Sequence, residues 1–341
     1  RRGPAKAAAF DRDGQPTPAA LGFARSCGVE FAALSMLATD KGEWLVYRAL
    51  APGRRLAELL PEFLREALAA LPVPKRMRWG SGEAEFVRPV HWLVALHGSE
   101  VIPMEVFGIP AGRLTQGHRY LGEQTLSIPT PADYAALLET RGKVIADFAT
   151  RRERVRALVH DAAAAAGGRP LIDEALLNEV TALVEWPSPI VGSFETHFLE
   201  IPREALVASM QGHQKYFPLE NADGSLQNRF VTIANIDSPR PEAIRDGNER
   251  VIRPRLSDAA FFWRKDRGQP LAARLPRLGE MVFERRLGSL LDKTARVAAL
   301  AARLAPSFGA DPALARRAGE LSRCDLLSEM VGEFPELQGT M

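Results

Sequence analysis

The chain has 341 residues, of which 46% are hydrophobic and 25% are charged, a composition that is ordinary for a folded globular protein and excludes a disordered one. Lys and Arg number 44 against 42 Asp and Glu, for a net charge of +2, so any nucleic-acid surface must be a local patch. The two cysteines, Cys27 and Cys324, are far apart, which argues against a secreted disulfide scaffold. No apolar run approaches the length of a membrane span. We therefore expect a cytoplasmic protein with no membrane segment.

Strand and helix patterns alternate irregularly over the first 130 residues. A helix is predicted near 19–26, and an aromatic and β-branched run predicts a strand over 43–49. Apolar residues at helical spacing predict an amphipathic helix over 54–70, with a kink or a new start at Pro61. The apolar runs 90–97 and 101–107 indicate a hairpin.

From residue 130 onward the pattern is mainly helical. Helices are predicted over 131–140, 151–166 and 173–184, and strands over 190–191 and 230–236. Beyond residue 241 the chain is predicted to be almost wholly helical. The predicted segments are 254–266, with Pro254 in the first turn, 270–304, broken near Gly288, and 312–334. Strands mixed with helices and followed by a helical tail predict an α+β fold.

Several motifs that carry chemistry do not occur in the sequence. G-x-x-x-x-G-K-[ST], G-x-G-x-x-G and G-x-S-x-G are all missing. The histidines form no metal-binding spacing; they are His91, His97, His118, His160, His197 and His213. Glu185, before Trp186-Pro187, is interpreted as a helix-end residue rather than a general base. We expect no catalytic residue, no metal site and no nucleotide cofactor in this chain.

Three clusters combine basic or polar residues with aromatic ones, at 75–92, 210–217 and 248–266. Arg and Lys can reach phosphates, and aromatic rings can stack on bases. Residues 240–274 hold nine basic residues against five acidic ones, a local excess larger than that of the whole chain. The third cluster is therefore the best RNA-facing candidate by charge.

Each cluster also has a purely structural interpretation. The first could be a basic loop that enters a core strand, with Trp79 and Trp92 buried. The second could be a helix end followed by a strand, with Tyr216 and Phe217 in the core. The third could be a solvated helix face with intrahelical ion pairs. The sequence leaves these alternatives open.

Taken in order, the clusters and several shorter segments resemble the β subunit of bacterial heterotetrameric glycyl-tRNA synthetase. The matching segments are Arg2-Gly3-Pro4, Ala8-Ala9-Phe10-Asp11, Ala24-Arg25-Ser26-Cys27-Gly28, Met77-Arg78-Trp79-Gly80, Phe86-Val87-Arg88-Pro89-Val90-His91-Trp92, Gly117-His118-Arg119, His213-Gln214-Lys215-Tyr216-Phe217, Ile233-Ala234-Asn235-Ile236, 250–266, Leu287-Gly288-Ser289-Leu290 with Asp292-Lys293, and 324–339. Each segment is weak by itself, whereas the ordered set is specific. Against the family's pattern the chain looks like a fragment that stops before the anticodon-binding C-terminal domain.

The resemblance implies a role in the enzyme that joins glycine to its tRNA with ATP and Mg²⁺. It places the class II active site, and with it ATP and Mg²⁺, in an α subunit, and gives the β subunit tRNA recognition and assembly in an α2β2 tetramer. It implies three parts: an α+β N-terminal body over 1–130, a central region over 131–285 similar to part of the phenylalanyl-tRNA synthetase β subunit, and the truncated start of a helical HD-like domain over 286–341.

No catalytic residue is carried over from the family. Local charge suggests that Lys215, Arg250, Arg253 and Arg255 contact tRNA. One alternative is an RNA-binding or assembly module without a synthetase role, which addition of the α subunit would distinguish. Another is a degenerate HD-type hydrolase, against which stands the lack of any histidine in residues 214–341.

Overall fold

The computed structural model describes residues 1–40, 42–50 and 53–341. The chain divides into two compact units, Arg1–Arg88 and Pro89–Met341. Both units contain helices and strands, so the predicted α+β class is confirmed. The predicted division into three parts, with an HD-like region at the end, stays a prediction. None of the helices in the described ranges is long and apolar enough to cross a membrane.

The first unit is built on a three-stranded antiparallel sheet of order β1-β3-β2, whose small core contains Ala9, Ala20 and Leu45. Its elements in chain order are β1 Arg2–Ala5, α1 Lys6–Ala9, α2 Pro18–Cys27, β2 Ser35–Thr39, β3 Gly42–Val46, α3 Leu56–Ala70, β4 Met77–Arg78 and β5 Glu85–Phe86. The helices predicted near 19–26 and over 54–70 are confirmed. The predicted strand ends earlier than expected, at Val46. No new helix starts at Pro61, because a single proline removes only one hydrogen bond of α3.

Short strands open the second unit. They are β6 Leu93–Val94, β7 Leu96–His97, β8 Glu100–Val101, β9 Glu105–Val106, β10 Ile109–Gly112, β11 Leu114–Thr115 and β12 Leu126–Ser127. The predicted hairpin survives only as the two-residue pairing of β7 with β8. Strand β9 pairs with β10 instead. Pro103 lies between β8 and β9, and a proline cannot donate a ladder hydrogen bond.

A four-stranded antiparallel sheet of order β13-β15-β16-β14 forms the centre of the second unit. The elements of this region are α4 Tyr134–Leu137, a π-helix Leu138–Gly142, α5 Phe148–Ala165, β13 Arg169–Pro170, α6 Glu174–Leu183, β14 Ser188–Ser193, α7 Arg203–Ala208, a π-helix Ser209–His213, β15 Phe217–Glu220, β16 Leu226–Ala234 and α8 Pro241–Arg267. The predicted helices and strands of this region are confirmed, with shifted ends.

Helices cover both faces of this sheet. Neighbouring residues of a strand point to opposite faces. Val231 of β16 packs in a cluster with Val159 of α5 and Leu177 of α6, whereas Phe230 packs in a second cluster with Leu206 of α7 and Leu256 of α8. Helix α8 therefore lies on the face of the sheet opposite to α5 and α6.

Helix α8 is longer than the sequence predicts. It starts with Pro241 in its first turn, and Pro254 lies in its interior, so the prediction of a first-turn Pro254 is wrong. Ile252 and Leu256 are fully buried on the two sides of Pro254. Their packing holds both halves of the helix on the sheet, and this outweighs the hydrogen bond that proline cannot make.

The chain beyond α8 is broken near Gly288 as predicted, but it is less helical than the predicted segments 270–304 and 312–334. The elements are α9 Leu271–Arg274, β17 Val282–Glu284, β18 Gly288–Ser289, α10 Leu290–Leu304, α11 Pro312–Leu321 and α12 Glu329–Glu333. Strands β17 and β18 form a hairpin. Gly288 has a φ of 89°, which no helix interior permits. Ser289 and Asp292 then form a capping box that starts α10.

Candidate nucleic-acid interface

The outward face of α8 is basic and carries an exposed aromatic ring. Successive helical residues turn by about 100°, so Arg250, Arg253, Phe261 and Arg264 fall within an arc of about 80°. The centre of that arc lies about 140° from the buried Ile252 and about 160° from the buried Ala259. All three arginines are exposed, and Phe261 is 55% accessible to solvent. We call these four residues the α8 face.

The helix separates the three arginines that the sequence singled out. Arg250 and Arg253 lie about 60° apart, whereas Arg255 lies about 140° from Arg250, on the flank of the helix. Lys215 is held elsewhere, at the end of the π-helix that precedes β15, with a φ of 60°. The sequence analysis missed Phe261 and Arg264 as members of the face. Their spacing from Arg250, close to whole turns, is a signal that could have identified them.

Some of these cations are paired and others are free. Lys215 forms an ion pair with Glu179 at 2.9 Å. Arg253 forms one with Glu195, and a hydrogen bond from Glu195's own backbone together with Arg253 lowers the pKa of that carboxyl. The guanidinium groups of Arg250, Arg255 and Arg264 make no hydrogen bond or ion pair with any residue that the structure describes.

The ion pair of Arg253 does not remove its charge from the α8 face. About half of the Arg253 and 40% of the Glu195 side chain are exposed. An exposed ion pair of this kind contributes little stability, about 0–1 kcal/mol. A phosphate can therefore replace Glu195 as the partner of Arg253 at small cost. The α8 face can present three cations and one ring over about 20 Å of helix.

The second cluster of the sequence belongs to the core, as its structural interpretation predicted. Tyr216 is 3% exposed and Phe217 is fully buried. The Tyr216 ring stacks on Phe230 with centroids 4.3 Å apart, and its hydroxyl donates to Asn248 Oδ1 at 2.7 Å. The first cluster does not fit its structural interpretation, because Trp92 is 40% exposed.

A cleft in the second unit brings together three segments that lie far apart in the sequence. It has a volume of about 840 Å³. Its lining residues are His91, Trp92, Gln116, Gly117, His118, Arg119, Tyr120, Gln124, Ala182, Leu183, Glu185, Asn235 and Ile236. We call it the Tyr120 cleft, after its most exposed ring. Most of these segments also carry the family resemblance, but the sequence did not predict that they form one site.

Asn235 connects the walls of the Tyr120 cleft. Its backbone oxygen accepts a hydrogen bond from His118 Nε2 at 2.7 Å. Its side-chain oxygen accepts from the backbone N–H groups of Glu185 and Trp186, at 2.7 and 3.0 Å. Glu185 lies just beyond the end of α6, which agrees with its interpretation as a helix-end residue. Its carboxylate faces solvent.

Comparison with known proteins bears on the whole chain. Residues 1–341 match the family model described as the glycyl-tRNA synthetase β subunit. The chain is 52% identical over 342 residues to the glycine–tRNA ligase β subunit of Marinobacter nauticus, and 51% identical over 341 residues to that of Hahella chejuensis. It is 50% identical to the corresponding subunit of Photorhabdus laumondii. Each match covers 100% of this chain and 49–50% of the relative. The chain thus spans about half the length of these curated relatives.

Proposed function

The chain belongs to the glycyl-tRNA synthetase β-subunit family, and from this premise we propose that it contributes tRNA recognition and assembly to a glycine–tRNA ligase. The observation that carries the tRNA-binding part is the α8 face. Arginine side chains reach phosphates, and an exposed ring between them can stack on an unpaired base.

In the proposed complex the chemistry takes place outside this chain. An α subunit binds ATP and Mg²⁺ and attaches glycine to tRNA, and this chain supplies no catalytic residue. The complex is proposed to be an α2β2 tetramer in the cytoplasm, with residues 286–341 as the start of an HD-like helical domain. Relatives in this family carry the name of the β subunit, which is the support for an α partner.

The tRNA-binding proposal is tested by removing positive charges from the outward face of α8 and, separately, from its flank. Each phosphate contact contributes roughly 0.7–0.9 to the slope of log affinity against log salt concentration. We expect the double variant Arg250→Ala/Arg264→Ala to lower affinity for a glycine-accepting tRNA and to reduce that slope by about 1.4–1.8. Arg255→Ala tests the flank separately, and Arg250→Ala/Arg253→Ala/Arg255→Ala tests the three arginines that local charge singled out.

Arg303→Ala/Arg316→Ala is the matched control, since both residues are exposed arginines of the same unit on α10 and α11. This control should leave the slope unchanged. If the α8 variants bind tRNA like the unchanged chain while their circular dichroism shows intact folding, α8 is not the interface.

The alternative, an RNA-binding module without a synthetase role, is separated by adding the α subunit. A synthetase part should raise glycylation of tRNA by the α subunit, in the context of the full-length β subunit. An RNA-binding module would bind tRNA with the same salt dependence but leave glycylation unchanged.

A further inference from the structure

We propose that the Tyr120 cleft binds one unpaired nucleotide of RNA, with its base against the Tyr120 ring and its phosphate near Arg119. This inference rests on the proposed function, because it assumes that the chain meets RNA. It differs from the α8 face in its recognition chemistry. The α8 face attracts phosphates, whereas the cleft has the groups to hold and read a base.

The aromatic side chains of the cleft are unusually accessible. Tyr120 is 76% exposed and Trp92 is 40% exposed. The Trp92 ring is held in place by a hydrogen bond that its Nε1 donates to Thr115 Oγ1 at 3.2 Å. Base stacking on an aromatic side chain typically changes affinity by roughly tenfold or more. Accessible aromatic rings are the surfaces on which splayed-out bases stack.

Polar groups at the same cleft are free to read a base edge. The side chain of Gln116, the guanidinium of Arg119 and the carboxylate of Glu185 make no hydrogen bond or ion pair within the part of the chain that the structure describes. Gln124 Nε2 donates to the backbone oxygen of Arg119 at 2.8 Å, which leaves its Oε1 as an acceptor. Amide side chains offer both donors and acceptors, and a base edge needs both.

The loop that presents Arg119 and Tyr120 is held by backbone hydrogen bonds, an ion pair and a close backbone approach. The backbone N–H of Gly117 donates to the backbone oxygen of Glu123 at 3.0 Å, and that of His118 donates to the backbone oxygen of Gly142 at 2.7 Å. A Cβ on Gly122 would lie 2.0 Å from the Gly142 oxygen, so the backbones touch there. The Arg141 guanidinium binds both carboxylate oxygens of Glu123. Pre-organisation of this kind removes the ordering cost that a flexible loop would add to binding.

The size and charge of the cleft favour a nucleotide over other RNA features. Its volume lies within the range of about 300–1,000 Å³ that is typical of small-ligand sites. Bases inside a duplex cannot turn a face toward Tyr120, which favours an unpaired ligand. Arg119 and Glu185 carry opposite charges, so the cleft does not attract phosphates in general. We therefore expect its binding to depend weakly on salt.

Titration with short RNA tests the proposal. The probes are single-stranded tetranucleotides of A, C, G or U and a blunt-ended duplex, each with a fluorescent label, and the readout is anisotropy. We expect at least one tetranucleotide to bind more tightly than the duplex. Tyr120→Ala should weaken that binding at least tenfold, and Tyr120→Phe should preserve it, because the ring and not the hydroxyl is the platform. Tyr134→Ala, at a partly exposed tyrosine of the same unit, is the control.

Two results would overturn the proposal. One is equal tetranucleotide affinity for the unchanged chain and Tyr120→Ala. The other is equal affinity of the chain for duplex and single strand. If the tRNA-binding role of the α8 face is wrong, a different result follows. The double variant Arg250→Ala/Arg264→Ala would then bind tRNA as tightly as the unchanged chain. The two sites are independent if the double variant loses tRNA affinity but keeps tetranucleotide binding. Tyr120→Ala should then lose tetranucleotide binding but keep its affinity for tRNA.

Discussion

The His118 imidazole is joined to the backbone oxygen of Asn235, 117 residues away in the sequence, by a hydrogen bond of 2.7 Å from Nε2. Because a carbonyl oxygen can only accept, this nitrogen carries the proton. The other ring nitrogen, Nδ1, accepts from the backbone N–H groups of Tyr120 and Leu121, at 3.3 and 3.2 Å. All the hydrogen-bonding capacity of a neutral imidazole is therefore used. The ring ties the loop that presents Tyr120 to the end of β16.

Removal of this ring should loosen the loop and destabilise the unit. In His118→Ala the Asn235 oxygen and two N–H groups lose their partner, and a buried unsatisfied group costs about 1–3 kcal/mol. We expect the free energy of unfolding, measured by urea denaturation, to fall by about that amount or more. His160→Ala, at an exposed histidine on α5, should change stability by less than about 0.5 kcal/mol. Equal stability of the two variants would show that the His118 bonds do not hold the loop.

Two glycines should respond oppositely to alanine. Gly122→Ala places a Cβ 2.0 Å from the Gly142 oxygen, which belongs to backbone and cannot move away as a side chain could. We expect a loss of about 1–3 kcal/mol or more. Gly247→Ala, inside α8 and with no atom within 4 Å of the new Cβ, should stabilise the chain by about 0.8–1.0 kcal/mol. Thermal unfolding of the two variants tests both signs, and a stable Gly122→Ala would refute the close backbone approach.

Tyr216 should make the protein sensitive to alkaline pH. Burial raises the pKa of Tyr216 from 10.0 to about 12. Between these values the unfolded chain loses the phenolic proton while the folded chain keeps it. The contribution of the protonated, buried Tyr216 to the free energy of unfolding is fully present below pH 10 and is lost as pH rises through 12. We expect Tyr216→Phe to reduce the fall in unfolding free energy between pH 9 and pH 11.5.

At neutral pH the same Tyr216→Phe variant loses its hydrogen bond to Asn248, at a net cost of about 0.5–1.5 kcal/mol. Tyr134→Phe is the control, because that tyrosine is partly exposed. An unchanged pH profile in Tyr216→Phe would mean that other groups cause the alkaline loss.

Asp266 should be essential for the packing of the last helices of the chain. Its Oδ1 accepts from Arg274 Nη2 at 2.7 Å, and that arginine is 5% exposed. The same carboxylate accepts from the backbone N–H groups of Glu329 and Met330, at 3.0 and 2.9 Å. Asp266→Asn keeps the shape but leaves a buried guanidinium without its counter-charge, for which we expect a loss of about 3–5 kcal/mol.

Asp258→Asn is the matched control for that substitution, since Asp258 is an exposed aspartate of the same helix. It should change the free energy of unfolding, measured in urea, by less than about 0.5 kcal/mol. If Asp266→Asn also unfolds at the midpoint of the unchanged chain, the buried ion pair is not what holds α8 to the Glu329–Glu333 helix.

Local patterns predicted the elements whose signals are local. Apolar residues at helical spacing predicted α3, and an aromatic and β-branched run predicted β3. The same reasoning failed at Pro254, where a proline typical of a first turn lies inside a long helix. It also failed at the β17–β18 hairpin. In the first case the deciding force is the packing of Ile252 and Leu256 on the sheet, which no short window contains.

Composition, ordered motifs and local charge can all be read along the chain, and they predicted the α+β class, the family and a basic segment around residue 250. The set of arginines that share the outward face of α8 became visible only in the fold, because it depends on where the helix starts and which side is buried. The fold also decided that residues 118, 120, 185 and 235 meet at one cleft. Hydrogen bonds between residues so distant in sequence produce no periodic pattern along the chain, because they depend on how the chain folds back on itself.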